Sequence, residues 1–388
     1  MNCEWRVLSG EPIQPMIQLQ AQSATRRTER QPLQRQAALV ATASIAFTMA
    51  CGASAARASG LSFTNYTTTN GLGSNTIYGI STSDSTIYAA TYGGLGISTN
   101  GGSTFINRTT ANGLPSNDIR DVYANGSNVY VAAYGGLAIS TDGGASFTNR
   151  TTANGLGSNS VFALYVSGNS IYAATFNGLS ISTDAGLTFS NRTTANGLGS
   201  NFISDVFANG NTIYAATEGG LGISTNGGSS FTNRTTANGL GDNQVMGVYA
   251  MGSSIYAGTI DGLSISSDGG STFTNRTTDN GLGSTFVLSV YASGSSVYAG
   301  TSMRTATDGG LALSTNGGSS FTNTTTANGL GSNSVLRVYA SGDKLYASTT
   351  NGLSIAQLPA ATPAPGPLPL LGAGAAFGWS RRLRRRLG

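Results

Sequence analysis

Six phrases in this chain set an acidic or amide residue inside a glycine-rich turn. They are STNGGSTF from Ser98, STDGGASF from Ser140, STDAGLTF from Ser182, STNGGSSF from Ser224, SSDGGSTF from Ser266 and STNGGSSF from Ser314. Oxygen-rich acidic loops of this kind are what a hard divalent cation would use. The residue, however, is Asp142, Asp184 and Asp268 in three copies and Asn100, Asn226 and Asn316 in the others. Ligands for a cation would not exchange for amides in half of the copies. A turn that needs only a short acceptor for backbone N–H groups takes either residue, with Gly supplying positive φ. These six positions are therefore expected to be structural, and neither a metal nor a cofactor is expected.

Other chemistries are limited by what the chain lacks. There is no His, so a Ser-His-Asp arrangement is excluded. Cys3 and Cys51 both lie near the N-terminus, upstream of the repeats, so a thiol nucleophile or Cys metal site in the repeats is excluded too. Five arginines, Arg108, Arg150, Arg192, Arg234 and Arg276, stand in the recurring phrase NRTT and so are expected to form a ring that does not converge on one ligand. Glu218 is the only Glu between residues 60 and 357. A glycosidase of the paired-carboxylate type would need two facing acids.

Ligand specificity needs a break in the repeat. One position in the first strand of each unit reads Gly79, Asp121, Ala163, Asp205, Gly247, Ser289 and Arg337. Small residues suit a crowded ring centre, so Asp121, Asp205 and Arg337 are candidates to line a polar channel, with or without a ligand. The turn between second and third strands reads Tyr92, Tyr134, Phe176, Glu218 and Ile260, followed by the insertion SMRTATDGG, which carries Arg304 and Asp308. Tyr92, Tyr134, Phe176, Glu218, Arg304 and Asp308 are candidates for a binding rim for a glycan or peptide. Ordinary turn packing is the alternative.

The elements that must position these residues are set by an internal repeat. Asn-Gly-Leu opens at Asn70, Asn112, Asn154, Asn196, Asn238, Asn280 and Asn328, and a tyrosine ruler from Tyr88 to Tyr346 keeps the same 42-residue step until an insertion after Tyr298. Each unit holds four short apolar runs between Gly/Asn turns; in the third they start at Asn159, Asn169, Gly178 and Leu187. Four strands per unit of this length is the pattern of a β-propeller blade. The seventh unit stops after three strands, and the missing fourth, LSFTNYTT, stands at Leu61. The expected fold is all-β: a seven-bladed propeller over 60–357, four antiparallel strands per blade, the last blade closed 3+1 by the N-terminal strand. An open solenoid is the rival architecture.

The two ends differ from this body in charge. Residues 1–59 carry six Arg against three Glu, and 358–388 carry five Arg and no acid, while 60–357 are net acidic by four. A basic pI therefore gives no case for nucleic-acid binding by the body. Arg26, Arg27, Arg30 and Arg35 precede the apolar run 37–50 and a small-residue stretch with candidate cleavage triplets at 53–55 and 56–58, the order of a secretory signal over 1–58. Residues 358–388 hold a hinge with Pro363, Pro365 and Pro367, an apolar stretch too short to span a bilayer, and Arg381, Arg382, Arg384, Arg385 and Arg386.

Hinge, apolar stretch and Arg cluster together resemble the PEP-CTERM class of bacterial sorting tails, although the family's Glu between prolines is absent. That resemblance implies processing by an exosortase-type enzyme and transient inner-membrane association. The Ser-x-Asp-x-Gly-x-Thr-aromatic turns resemble the Asp-box, or BNR repeat, of sialidase-like and other propellers, where the turn is a folding element away from the active site. The stretch from Asn112, NGLPSNDIRDVYANGSNVYVAAYGGLAIS, resembles two-component-regulator propeller repeats, which implies a sensory or binding propeller. The expected function is an exported, non-catalytic surface or matrix module that binds a glycan or protein. The alternatives are a secreted Asp-box glycoside hydrolase and a periplasmic sensory or assembly propeller.

Overall fold

The computed structural model describes residues 61–302 and 308–359. The stretch 1–58 expected to direct export, the expected sorting tail from Pro363 to Arg386, and Arg304 lie outside the described residues.

Alternation in the strands builds the core. In Ser170–Thr175, Ile171 and Ala173 point to one face and pack with Tyr130 and Ala132 of the blade before, while Tyr172 and Ala174 point to the other and pack with Ile203 and Ile213 of the blade after. A period of two thus feeds both sides of every sheet, and the apolar core sits between blades. Seven such clusters follow one another, and the last joins Tyr346 and Leu353 to Ile77 and Ile87 across the seam. This is a closed ring and not an open solenoid.

There are seven four-stranded antiparallel sheets. Six run in chain order; in blade 3, for example, Val161–Ser167, Ser170–Thr175, Gly178–Ser182 and Ser190–Arg192 lie side by side. The seventh takes Phe63–Tyr66 as its outer strand against Gly352–Gln357, with Phe63 opposite Ala356 and Tyr66 opposite Leu353. The 3+1 closure therefore holds, and no α-helix occurs among the described residues. The closing strand covers a sheet edge that would otherwise stay open.

Outer strands are shorter than the apolar run in the sequence suggests. The run from Leu187 gives a strand of three residues only. Phe189 before it turns inward as a core side chain, and Thr193 after it caps a 3-10 turn, Thr194–Asn196, with Asn196 bonding back to the Thr193 N–H. The following Leu198 is buried. The Asn-Gly-Leu anchor is therefore the link between blades, and a hydroxyl and an amide end the strand.

The six glycine-rich turns connect third and fourth strands. Asp142 Oδ1 accepts from the backbone N–H groups of Ala145 and Ser146 and from the Ser140 hydroxyl, and its Oδ2 accepts from the Ser146 hydroxyl. Asn100 makes the same bonds to Thr104 N–H and the Ser98 hydroxyl, and donates from Nδ2 to Thr104 Oγ1. A hydroxyl serves as donor to the acid or acceptor from the amide, so both residues close the turn. Hydrogen bonds from Ser140 first, then Ser146, hold the Asp142 carboxyl well below the usual carboxylate range. Asp184, held first by Thr188, and Asp268, held first by the Thr272 N–H, are lowered likewise.

Candidate functional site

The first strand of each blade faces the axis: Ile77–Ser83, Ile119–Asn125, Val161–Ser167, Ile203–Asn209, Val245–Met251, Val287–Ser293 and Val335–Ser341. Each starts with a register shift, for example between Ile119 and Asp121, and this bulge leaves the next paired residue aimed at the axis. That residue is Gly79, Asp121, Ala163, Asp205, Gly247, Ser289 or Arg337. The centre is crowded: a Cβ added at Gly79 would stand 2.5 Å from Asp121 Oδ1.

Asp121, Asp205 and Arg337 meet there. Arg337 Nη2 donates to Asp121 Oδ2 at 2.7 Å, and Nη1 donates to Asp205 Oδ1 at 3.0 Å. Backbone donors add to these bonds. Val122 N–H bonds Asp121 Oδ1 and Leu164 N–H bonds Oδ2, while Val248 N–H bonds Asp205 Oδ2. The triad thus ties the first strands of blades 2 and 3 and of blades 4 and 5 to that of blade 7. Both carboxylates are buried, at 3% and 5% exposure. Burial pushes the Asp121 carboxyl up, against the pull of Arg337 and its backbone donors. Burial alone would lower Arg337, but the two carboxylates outweigh it and hold the guanidinium above its ordinary value. Charges that satisfy one another in this way form a plug across the channel.

Two mouths lie at opposite ends of the axial strands. At the N-terminal ends, Tyr92 and Phe176 are 59% and 60% exposed and Tyr134 is partly exposed. Their loops follow the second strands; Tyr92 N–H, for example, bonds Thr76 O. The bulged residues join them. Tyr134 meets Phe162 edge-on at 5.9 Å, Phe162 lies 5.0 Å from Phe202, and Phe202 meets Phe176 at 5.7 Å. Arg120, paired with Asp118 at 2.8 Å, lies over the rings of Tyr78 and Tyr134 at 4.4 and 4.6 Å. The result is an aromatic arc across blades 1 to 4, ending at exposed Glu218. Asp308 is half-buried beside the third strand of blade 6, away from this arc in the chain order of blades.

The other mouth holds a cavity of about 490 Å³ with the plug on its wall. Around it stand Tyr123, Tyr165, Phe207, Tyr249, Tyr291 and Tyr339, with neighbouring ring centres 4.8 to 5.9 Å apart. Desolvation, with help from Tyr291 and Tyr165, pushes the Tyr249 phenol up to about 12. Sequence reasoning missed this collar. Its six rings recur with the repeat and read as core content, yet each lies two residues beyond the axial position. The strand period alone puts both on the same face.

The arginines of the NRTT phrase act between blades on the outside. Arg192 Nε donates to Gly228 O at 2.6 Å and Arg276 Nε to Gly318 O at 3.0 Å; Arg150 binds Gly186 O in the same way. These three clamp the glycine-rich turn of the next blade, whereas the Nε atoms of Arg108 and Arg234 have no hydrogen-bond partner. Among the described residues no group of three or more Asp, Glu or Cys side chains could hold a metal ion.

No family model matches this chain, and no curated protein matches its sequence. Solved structures do. The extracellular domain assigned to a hybrid two-component system of B. thetaiotaomicron superposes with a TM-score of 0.63 at 19% identity, over 76% of this chain and 42% of that one. The extracellular domain assigned to a one-component system of the same organism gives 0.62 at 15%, over 78% and 44%. This chain therefore spans a little over two fifths of those sensor domains. YCF48 bound to a D1 peptide gives 0.58 at 14%, over 77% of this chain and 97% of that one. At these identities the likeness is one of fold, and with the strand order above it places the chain among the seven-bladed β-propellers.

Proposed function

We propose that this protein is an exported, non-catalytic binding module that holds an extended glycan across the aromatic arc of Tyr92, Tyr134 and Phe176. One observation carries the reading: the residues that break the repeat are divided by chemistry. The charged ones at the axis pair with one another, and those exposed along the arc of the N-terminal mouth are aromatic up to Glu218 at its end. Exposed rings in an arc mark a recognition surface. The surface around them is rich in Ser, Thr and Asn and poor in charge, which suits a hydroxylated polymer.

Glycoside hydrolysis is the competing reading, and the raised Asp121 carboxyl favours it. A general acid must reach the glycosidic oxygen, and its partner must reach water or the sugar. Asp121 and Asp205 are instead buried and bonded to Arg337 and to backbone donors. A sensory or assembly role in the periplasm rests on the repeat resemblance at Asn112 and on the likeness in fold to the two-component extracellular domains and to YCF48.

Export by residues 1–58 and exosortase-type removal of the tail beyond Pro363 belong to the same proposal, with transient inner-membrane anchoring before cleavage. A glycan array probed with the full chain tests the binding claim. The expected result is retention without turnover, lost at least about tenfold in Tyr92→Ala/Tyr134→Ala/Phe176→Ala. Turnover of a retained glycan would establish the hydrolase instead, and retention of protein ligands alone would move the module to that class. Mass spectrometry of the exported protein tests the tail, since an intact C-terminus in the cytoplasm is incompatible with the sorting proposal.

A further inference from the structure

The cavity at the far mouth departs from the sevenfold repeat twice, both times in blade 1: once on its first strand and once at the turn that follows it. At the collar position six blades carry an aromatic ring and blade 1 carries Ser81, which is buried and accepts the Ala124 N–H at 3.0 Å. Three residues later, at the turn into the second strand, six blades carry a glycine with φ between 57 and 61°: Gly126, Gly168, Gly210, Gly252, Gly294 and Gly342. Blade 1 carries Asp84 at φ 53°.

Glycine is the relaxed residue in that conformation, and the repeat uses it everywhere else. Aspartate is tolerated in this turn, so the departure from glycine there places a carboxylate at the cavity rim on blade 1 alone. The exchange of a ring for Ser81 opens the collar on the blade that carries this carboxylate.

The charged side chains lining the cavity are Asp84, Asp121, Asp205 and Arg337. Arg337 is taken by Asp121 and Asp205, and Asp84 forms no ion pair among the described residues. A collar of six electron-rich rings, open only at blade 1 where a carboxylate free of ion pairs stands, suits positive charge. Aromatic faces attract cations through the ring quadrupole, most strongly a weakly hydrated ammonium. Metal dications are a poor match, because one free carboxylate gives too few oxygen ligands.

We propose that this cavity binds a compact organic ammonium group, quaternary or alkylated. The rings of Tyr123, Tyr165, Phe207, Tyr249, Tyr291 and Tyr339 surround the cation, and Asp84 is its counter-charge. The site is separate from the aromatic arc at the opposite mouth, so it stands or falls without the glycan reading. The same group could reach it on a free small molecule or on a methylated lysine side chain.

The test is calorimetric titration of the full chain with choline, with its neutral isostere 3,3-dimethylbutan-1-ol, and with a short trimethyl-lysine peptide. Choline is expected to bind at least about tenfold more tightly than the alcohol. Equal affinity for the two, or no heat from choline and peptide alike at millimolar concentration, would overturn the proposal. Asp84→Gly restores the residue of the other six blades. It should leave the melting temperature unchanged or raised while weakening choline about three- to tenfold, which separates recognition from folding. Unchanged choline affinity in Asp84→Gly would remove Asp84 from the site, and unchanged affinity in Tyr249→Leu would remove the collar. A peptide that binds more tightly than choline assigns the site to a polypeptide side chain, and a weaker one assigns it to a free cation.

Discussion

Arg337→Ala probes the plug most directly. The guanidinium makes two short charge-assisted bonds, 2.7 Å to Asp121 and 3.0 Å to Asp205, both to carboxylates with almost no solvent access. Removing one partner of a buried ionic group leaves uncompensated charge and costs about 3–5 kcal/mol. The lower end applies here. Asp121 keeps the N–H groups of Val122 and Leu164, Asp205 keeps that of Val248, and the Arg337 side chain is 23% exposed, so channel water can enter. A loss of about 3 kcal/mol corresponds to a fall in Tm of roughly 4–6 °C for a domain of this size.

The sign of the pH dependence follows. Without the guanidinium, the burial that already raises the Asp121 carboxyl acts unopposed by that positive charge, and its value moves further above the unfolded one near 3.9. The folded state then binds more protons than the unfolded state, so the deficit is greatest at neutral pH and shrinks as the pH falls towards 4. Replacing all three residues, as Asp121→Ala/Asp205→Ala/Arg337→Met, should recover stability to within about 1 kcal/mol of the parent. Ala163, Gly247 and Ser289 already occupy the same position uncharged. Thermal unfolding followed by circular dichroism between pH 4 and 7 reads all of this. A Tm for Arg337→Ala within about 2 °C of the parent at pH 7, with no recovery in acid, would refute the claim that the triad holds the ring centre.

Three further outcomes are expected. Asp142, Asp184 and Asp268 have lowered carboxyls, so their contribution is present above the unfolded value near 3.9 and is lost as the pH falls through the folded one. Asp142→Asn/Asp184→Asn/Asp268→Asn should match the parent at pH 7 and lose less Tm between pH 5 and 2; parallel acid limbs would contradict the hydrogen-bond account. Arg150→Ala should cost about 1–2 kcal/mol by urea unfolding through loss of its bond to the Gly186 carbonyl, whereas Arg234, whose Nε has no partner, should cost markedly less. Deleting residues 61–66 should uncover the edge of Gly352–Gln357 and produce concentration-dependent oligomers in size-exclusion chromatography; a stable monomer would show that the closing strand is dispensable.

Much of the architecture is visible before any coordinates. The 42-residue step, four apolar runs per unit and the displaced run at Leu61 lead to seven blades and to the seam. Strand alternation is local, and it repeats. The Asp/Asn exchange in the turns likewise reports a backbone requirement that is met within five residues. The outer strands were less legible, because Phe189 and Thr193 extend the apolar pattern in sequence but belong to the core and to the cap.

The sequence by itself determined the repeat, the ring and the places where symmetry fails, because each follows from periodicities of two and forty-two along one chain. It singled out Asp121, Asp205 and Arg337 as exceptions. Only the tertiary structure decided that residues 84 and 216 positions apart in sequence lie within one hydrogen-bond network. Only it brought the rings of six blades into one collar beside Asp84. Ring closure sets which exceptions face one another, and no local pattern encodes that angle around the axis. A charge that looked free in the chain is therefore spent on its neighbours across the channel, and a tyrosine that looked like core faces the cavity.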